Sequence, residues 1–290
     1  MVEKQHEVKN LGMIPAFTKV EEALERASKN IKTDKYSFGD SIIDDYCGGG
    51  WGRHDAYEMI CVFGGTGMNK STLVSQMAVS PALKGDKVAY LALEDEIEDV
   101  IIRMHKQMNA DSGLENNEKF KKVMQNIHFF PENHGYTLSA LVKVIEELFK
   151  AYDVIIIDPI QFVFEISYVE KGESEWNRQR IFVNELQAVV KKAKKTLVFV
   201  SHTNKSAYSK RDDTTAEGMI QGAGALPQIS TKIVQIGIDK DNLRFINLVK
   251  NRFGAKRRNK LQVGLSPNLK IGFDTSGLSR KQIMDMEENW

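Results

Sequence analysis

One stretch constrains this chain more than any other: Gly64-Gly65-Thr66-Gly67-Met68-Asn69-Lys70-Ser71-Thr72. It follows the pattern G-x-x-x-x-G-K-[ST], with Asn69 where the pattern has its second glycine. The pattern has meaning only between a strand and a helix. Residues 57–63 are strand-like and residues 70–83 read as a helix, so both neighbours qualify. Glycines 64, 65 and 67 let the backbone curl until successive N–H groups point at one anion. The helix start that follows favours the same anion. Lys70 then reaches the outer phosphates of a nucleoside triphosphate, and the Ser71 hydroxyl can hold Mg²⁺. Asparagine tolerates unusual backbone angles better than most residues, so Asn69 weakens the match without voiding it.

Downstream, apolar runs alternate with helical patterns. Residues 87–93, 127–130, 153–157 and 196–200 read as strands; residues 96–108, 138–151 and 175–194 read as helices. The run Val154-Ile155-Ile156-Ile157 has no polar alternation, which fits a strand buried on both faces of a parallel sheet. Such alternation predicts an α/β fold with crossover helices on both faces of a mainly parallel sheet. From about residue 230 the pattern changes. Residues 232–238, 243–249 and 261–265 leave no room for helices between them and read as antiparallel strands added at one edge. The run Cys47-Gly48-Gly49-Gly50-Trp51-Gly52 reads as a flexible turn before the core.

Three polar groups end strands at the edge where the phosphate loop emerges. Asp158 closes the aliphatic run and is placed to hold a Mg²⁺-bound water. Glu94 closes the strand before it, where a carboxylate can orient or deprotonate an attacking water; Asp95 and Glu96 are adjacent alternatives. His202 follows the strand at 196–200 and reads either as a contact to the terminal phosphate or as a structural hydrogen-bonding residue.

Composition adds exclusions. The chain has 290 residues, 42% hydrophobic and 27% charged, with a formal net charge of +1. That suits one large globular domain with short appendages. It gives no overall pull toward nucleic acid, so any such binding must be local. Cys47 and Cys61 lack metal-ligand spacing and read as reduced thiols. No apolar run suits a membrane span, and residues 1–6 do not start a signal peptide. The expectation is a soluble protein of the cytoplasm.

Several of these motifs, in this order, resemble the DnaB-like hexameric replicative helicases, most of all the helicase domain of bacteriophage helicase-primases and Twinkle. The resemblance rests on the loop at 64–72, Leu91-Ala92-Leu93-Glu94, Ile155-Ile156-Ile157-Asp158 and Val200-Ser201-His202. It also rests on Gly222-Ala223-Gly224-Ala225-Leu226-Pro227-Gln228 and on Lys250-Asn251-Arg252-Phe253. It spans about residues 35–273. It implies a RecA-like P-loop core that binds ATP, or another NTP, with Mg²⁺. By position, Lys70 and Ser71 would bind ATP and metal, Asp158 the metal, Glu94 would be the base and His202 the phosphate sensor. Gln228 would lie near the γ-phosphate or couple it to DNA. Arg252 would be an arginine finger serving the next subunit, with Lys250 beside it.

The resemblance also bears on the ends. Thr18 and Glu21 form a capping box that opens an amphipathic helix to Ile31, folded on its own core or reaching a neighbour. The family's linker helix does the second. The expected organisation is an arm at 1–34, an ATPase domain at 35–275 and a tail at 276–290. Lys205, Lys210 and Arg211 lie in a polar loop that would face single-stranded DNA in a hexamer's channel. Lys256-Arg257-Arg258 reads as a solvated hairpin tip. The acidic tail ending in Trp290 resembles a polymerase-binding peptide, and a primase is the other partner the family suggests. Two different classes compete: a RecA-like recombinase, and a nucleotide-dependent helicase loader.

Overall fold

The structure is a computed structural model and describes residues 35–52, 57–108, 117–131, 137–166, 174–203, 216–220, 225–255, 257 and 259–274. The uninterrupted apolar runs form strands covered on both faces, as buried parallel strands require. Strand β1 (Glu58–Gly64) is buried at every residue, and so is β4 (Val154–Asp158). Side chains of β1 alternate between two cores. Ile60 and Val62 pack toward helix α2 (Lys70–Leu83), while Met59, Cys61 and Phe63 enter the core on the other face. That second core is closed by α5 (Leu138–Ala151) and α7 (Glu175–Ala193). Both helices start at a capped residue: the Thr137 hydroxyl accepts from the Ala140 N–H, and the Ser174 hydroxyl from the Asn177 N–H.

Among the described residues the sheet has nine strands in the order β3-β2-β4-β5-β1-β6-β7-β8-β9. Its first half is parallel: β2 (Val88–Ala92), β3 (Ile127–Pro131), β4, β5 (Thr196–His202) and β1. The register brings the carboxyl ends level, with Gly64 opposite His202 and Ala92 opposite Asp158. Strand β5 lies between the strand that feeds the phosphate loop and the strand that ends in Asp158. Strand β6 (Lys232–Ile238) is still parallel to β1; β7 (Arg244–Asn251), β8 (Leu261–Leu265) and β9 (Ile271–Phe273) run antiparallel to their neighbours. The fold therefore matches the α/β architecture expected from sequence, with the antiparallel strands at the C-terminal edge.

Several elements go beyond that expectation. Helix α1 (Ser41–Tyr46) is capped by the Asp40 carboxylate, which accepts from the Ile42 and Ile43 N–H groups. Helix α3 (Ile97–Met108) is the helix expected at 96–108, while α4 (Asn117–Met124), α6 (Ile160–Ile166) and α8 (Leu226–Ile229) are additional and short. The glycine run at 47–52 is a built turn instead of a flexible one. Trp51 is fully buried and pairs in a β-bridge with Tyr36. The buried Lys232 ammonium donates to the Cys47 and Gly50 carbonyls. Gly50 is obligatory there, since a Cβ would fall 2.3 Å from the Tyr36 carbonyl oxygen. Arg257 departs from the expected solvated tip as well. It is half-buried, and its guanidinium donates to the Tyr46 and Asp45 carbonyls at 3.1 and 2.9 Å, closing the C-terminus of α1.

Candidate nucleotide-hydrolysis site

The site forms where β1, β2, β4 and β5 end. Gly64 is the last residue of β1, and β6 passes so close that a Cβ would sit 2.2 Å from the Ile236 carbonyl oxygen. Only glycine allows the loop to leave the sheet there. Gly67 has φ +74°, and open space surrounds the position a Cβ would take. Asn69 has φ 67° and ψ 32°, the left-handed conformation. The residue that broke the sequence pattern thus adopts the backbone geometry its missing glycine would have supplied. Its side-chain amide lies 3.4 Å from the Thr72 hydroxyl.

Lys70 begins α2, and its ammonium donates to the Gly65 carbonyl at 2.9 Å, inside the loop. Burial lowers its pKa, opposed by the nearby carboxylates of Asp158 and Glu94. The Ser71 hydroxyl donates to one oxygen of Asp158 at 3.1 Å, and the Tyr90 hydroxyl donates to the other at 2.8 Å. Asp158 is 4% exposed. Burial pushes its carboxyl up to about 6, against the opposing hydrogen bonds from Tyr90 and Ser71. A hydroxyl and a carboxylate are hard oxygen donors, the kind Mg²⁺ takes. No group of three or more His, Cys, Asp or Glu among the described residues could hold a metal. Mg²⁺ at a triphosphate needs none, because phosphates and waters fill most of its shell. The residues present fit this group.

Glu94 follows β2 by two residues and is exposed to solvent. Its carboxylate lies 3.8 Å from the His202 Nε2. The adjacent acids differ: Asp95 is paired with Arg103 of α3 at 2.6 Å, and Glu96 is exposed. His202 ends β5; burial lowers its pKa, Lys70 adds to this, and Glu94 opposes it. Behind it, Gln161 of α6 donates to the Ser201 hydroxyl at 2.8 Å, joining the helix after Asp158 to the strand carrying His202.

Lys70, Ser71, Asp158, Glu94 and His202 are thus gathered at one edge. Lys250, Arg252 and Gln228 are not among them. Asn251, at the end of β7, pairs with Lys232 at the start of β6, and Arg252 donates to the Tyr57 hydroxyl just before β1 at 3.3 Å. Lys250 donates to the Pro227 carbonyl at 2.7 Å, next to the exposed Gln228. Arg252 thus sits beside the amino end of β1, roughly 20 Å of strand from the phosphate loop at its other end, whereas Lys250, opposite Ile233, which is opposite Cys61, stands level with the middle of β1. Lys205, Lys210, Arg211, the 222–224 stretch, the 18–31 helix and the tail lie outside the described residues. Sequence reasoning missed Tyr90, Arg103, Gln161 and Tyr57. For Tyr90 a signal existed: a hydroxyl in an otherwise apolar strand, two residues from the edge and on the face that Asp158 shares.

A phosphate loop on β1, an acid ending β4, an intervening strand and a second acid after β2 define a RecA-like P-loop ATPase. The chain belongs to the AAA domain family, whose model matches residues 32–208. Among curated proteins it is similar to the DNA repair protein RadA of Chlamydia pneumoniae, 28% identical over 192 residues, covering 66% of this chain and 36% of that protein. It is also similar to RadA of Brucella abortus (strain 2308), 24% identical over 250 residues, covering 85% and 46%. The chain thus spans less than half the length of either relative. Among solved structures, a DnaB-like replicative helicase, described with its interactions with primase, aligns with TM-score 0.66 and 14% identity, covering 88% of this chain and 67% of that one. A KaiC-like protein from Pyrococcus horikoshii OT3 aligns with TM-score 0.62 and 17% identity, covering 83% and 98%. These two likenesses establish the fold.

Proposed function

We propose that this chain is the motor of an ATP-dependent DNA helicase of the DnaB-like kind, a ring, hexameric in this family, that moves on single-stranded DNA. The observation that carries the reading is the separation of Arg252, at the amino end of β1, from the chain's own phosphate loop. A cation at the far end of β1 does not reach its own ATP, but a neighbouring subunit in a ring brings it to the next one. Each site is then half of a pair.

The residues divide the work. The curled N–H groups of the 64–72 loop and Lys70 hold the phosphates. Ser71 and Asp158 hold Mg²⁺, which when bound neutralises phosphate charge. Glu94 orients the attacking water and accepts its proton. His202, 3.8 Å from Glu94, would sense the terminal phosphate, and the chain runs on from it to the segment with Lys205, Lys210 and Arg211. Arg252 of the neighbour offsets charge on the transferring phosphoryl group, with Lys250 and Gln228 around it. The resemblance supplies 5′-to-3′ travel, a phage-type setting, and primase and polymerase as partners. Among the described residues no helix is long and apolar enough to cross a membrane, and both cysteines are free and buried; we place the protein in the cytoplasm.

The test is ATP turnover with and without single-stranded DNA, together with unwinding of forks carrying a 5′ or a 3′ tail. Stimulated turnover with unwinding only from a 5′ tail is expected. Turnover indifferent to DNA would contradict the motor and favour a helicase loader. The RadA likeness favours a second reading, a recombination ATPase. Particle images with an ATP analogue and single-stranded DNA separate the two: rings support the helicase, filaments the recombinase.

A further inference from the structure

We propose that Tyr90 is a positioning residue for the metal-holding carboxylate, its hydroxyl pinning one oxygen of Asp158 so that the other stays turned toward Ser71. The proposal rests on the reading of Ser71 and Asp158 as the Mg²⁺-holding pair. Tyr90 lies on β2, the strand beside β4, with Tyr90 opposite Ile156 and Ala92 opposite Asp158. Side chains two apart on a strand share a face, so Tyr90 and Ala92 look the same way as Ile156 and Asp158. All but the aspartate belong to the core under α2. Ala92 directly across from the carboxylate is small, and its methyl leaves the space that the tyrosine hydroxyl enters from one pleat back. The reach ends 2.8 Å from one Asp158 oxygen, while the Ser71 hydroxyl sits 3.1 Å from the other.

Two further observations show a held group. Tyr90 is fully buried, and its ring rests against Phe129 of β3 with centroids 5.6 Å apart, so the hydroxyl is carried by a rigid lever. The carboxylate needs that hold, because the terminal torsion of an aspartate has a broad, shallow profile and does not set its own plane. Serine alone fixes one oxygen only. A phenylalanine would fill the same core volume, whereas a buried hydroxyl demands a partner. Groups behind a metal-holding carboxylate orient it and tune its affinity for the ion.

The test uses the full chain with Tyr90→Phe, wild type and Asp158→Asn beside it. Mn²⁺ is titrated by electron paramagnetic resonance in the presence of ADP. ADP affinity and thermal midpoint are measured separately in EDTA. The expected result for Tyr90→Phe is a roughly 10-fold weaker Mn²⁺ affinity, with metal-free ADP binding and midpoint preserved. Mn²⁺ affinity within about twofold of wild type overturns the proposal. A parallel loss of metal-free ADP binding and of the midpoint also overturns it, because that is the signature of a general packing role. If Asp158→Asn leaves Mn²⁺ affinity unchanged, the underlying reading of Asp158 fails, and this outcome is distinct from a failure confined to Tyr90.

Discussion

The Nε2 atom of His202 stands 3.8 Å from a carboxylate oxygen of Glu94, although their strands β5 and β2 are separated by β4. Burial and the nearby Lys70 depress the histidine pKa below its usual value, so the ring is neutral at physiological pH. On the proposed reading, in which Glu94 activates the water, a neutral ring at this distance would serve as a relay that changes partner as the terminal phosphate leaves.

His202→Ala should therefore keep nucleotide binding but lower turnover by roughly 10- to 100-fold. Stimulation by single-stranded DNA should disappear with it. Steady-state ATP hydrolysis with and without DNA checks this; a variant that hydrolyses slowly yet still responds to DNA would remove the sensor role and leave a structural one.

Asn69 makes a conformational prediction. Its left-handed backbone suits glycine as well as asparagine. Asn69→Gly should hold nucleotide affinity within about twofold, whereas Asn69→Val should lose about 1–2 kcal/mol of stability and at least roughly tenfold in affinity. Fluorescent-nucleotide titration and thermal melts distinguish this from a role for the amide itself, in which Asn69→Gly would fail too.

Asp158 links the site to stability through pH. Its buried carboxyl ionises near 6, against a usual value of 3.8. Between those values the unfolded chain gives up its proton more readily than the folded one. The stability that a protonated Asp158 lends is present below the lower value and is lost as pH rises through the upper. Without nucleotide or metal, Asp158→Asn should be more stable than wild type by roughly 1–3 kcal/mol near pH 7. The gap should close as pH falls toward 4. Melts across that range in EDTA measure it; equal stability at neutral pH would contradict a strained, functional carboxylate.

Much of this architecture was legible because local and tertiary preferences agree. Strands such as β4 are aliphatic throughout, and α5 carries its cap and its apolar stripe, so their limits came close from pattern alone. Elements whose stability comes from partners far along the chain left weaker traces. The 47–52 turn looks flexible by its glycines until Lys232, from β6, is seen to fasten it. Arg257 looks solvated until α1 offers it carbonyls. The chemistry-bearing strand ends could be read because a parallel sheet puts carboxyl ends on one edge. Tyr90 left only a partial trace, a hydroxyl in an apolar strand, since its meaning depends on register: only the pairing of Ala92 with Asp158 brings that hydroxyl to the carboxylate.

On the proposed reading, one subunit's Arg252 completes another's site. Mixing two inactive variants tests it most directly: Lys70→Ala, which cannot hold ATP, and Arg252→Ala, which binds ATP but lacks the finger. In randomly mixed equimolar rings about a quarter of interfaces pair an intact loop with an intact arginine. ATP turnover, absent from either variant alone, should return on mixing. Turnover that stays at the level of the separate variants, in rings shown to contain both, would contradict it.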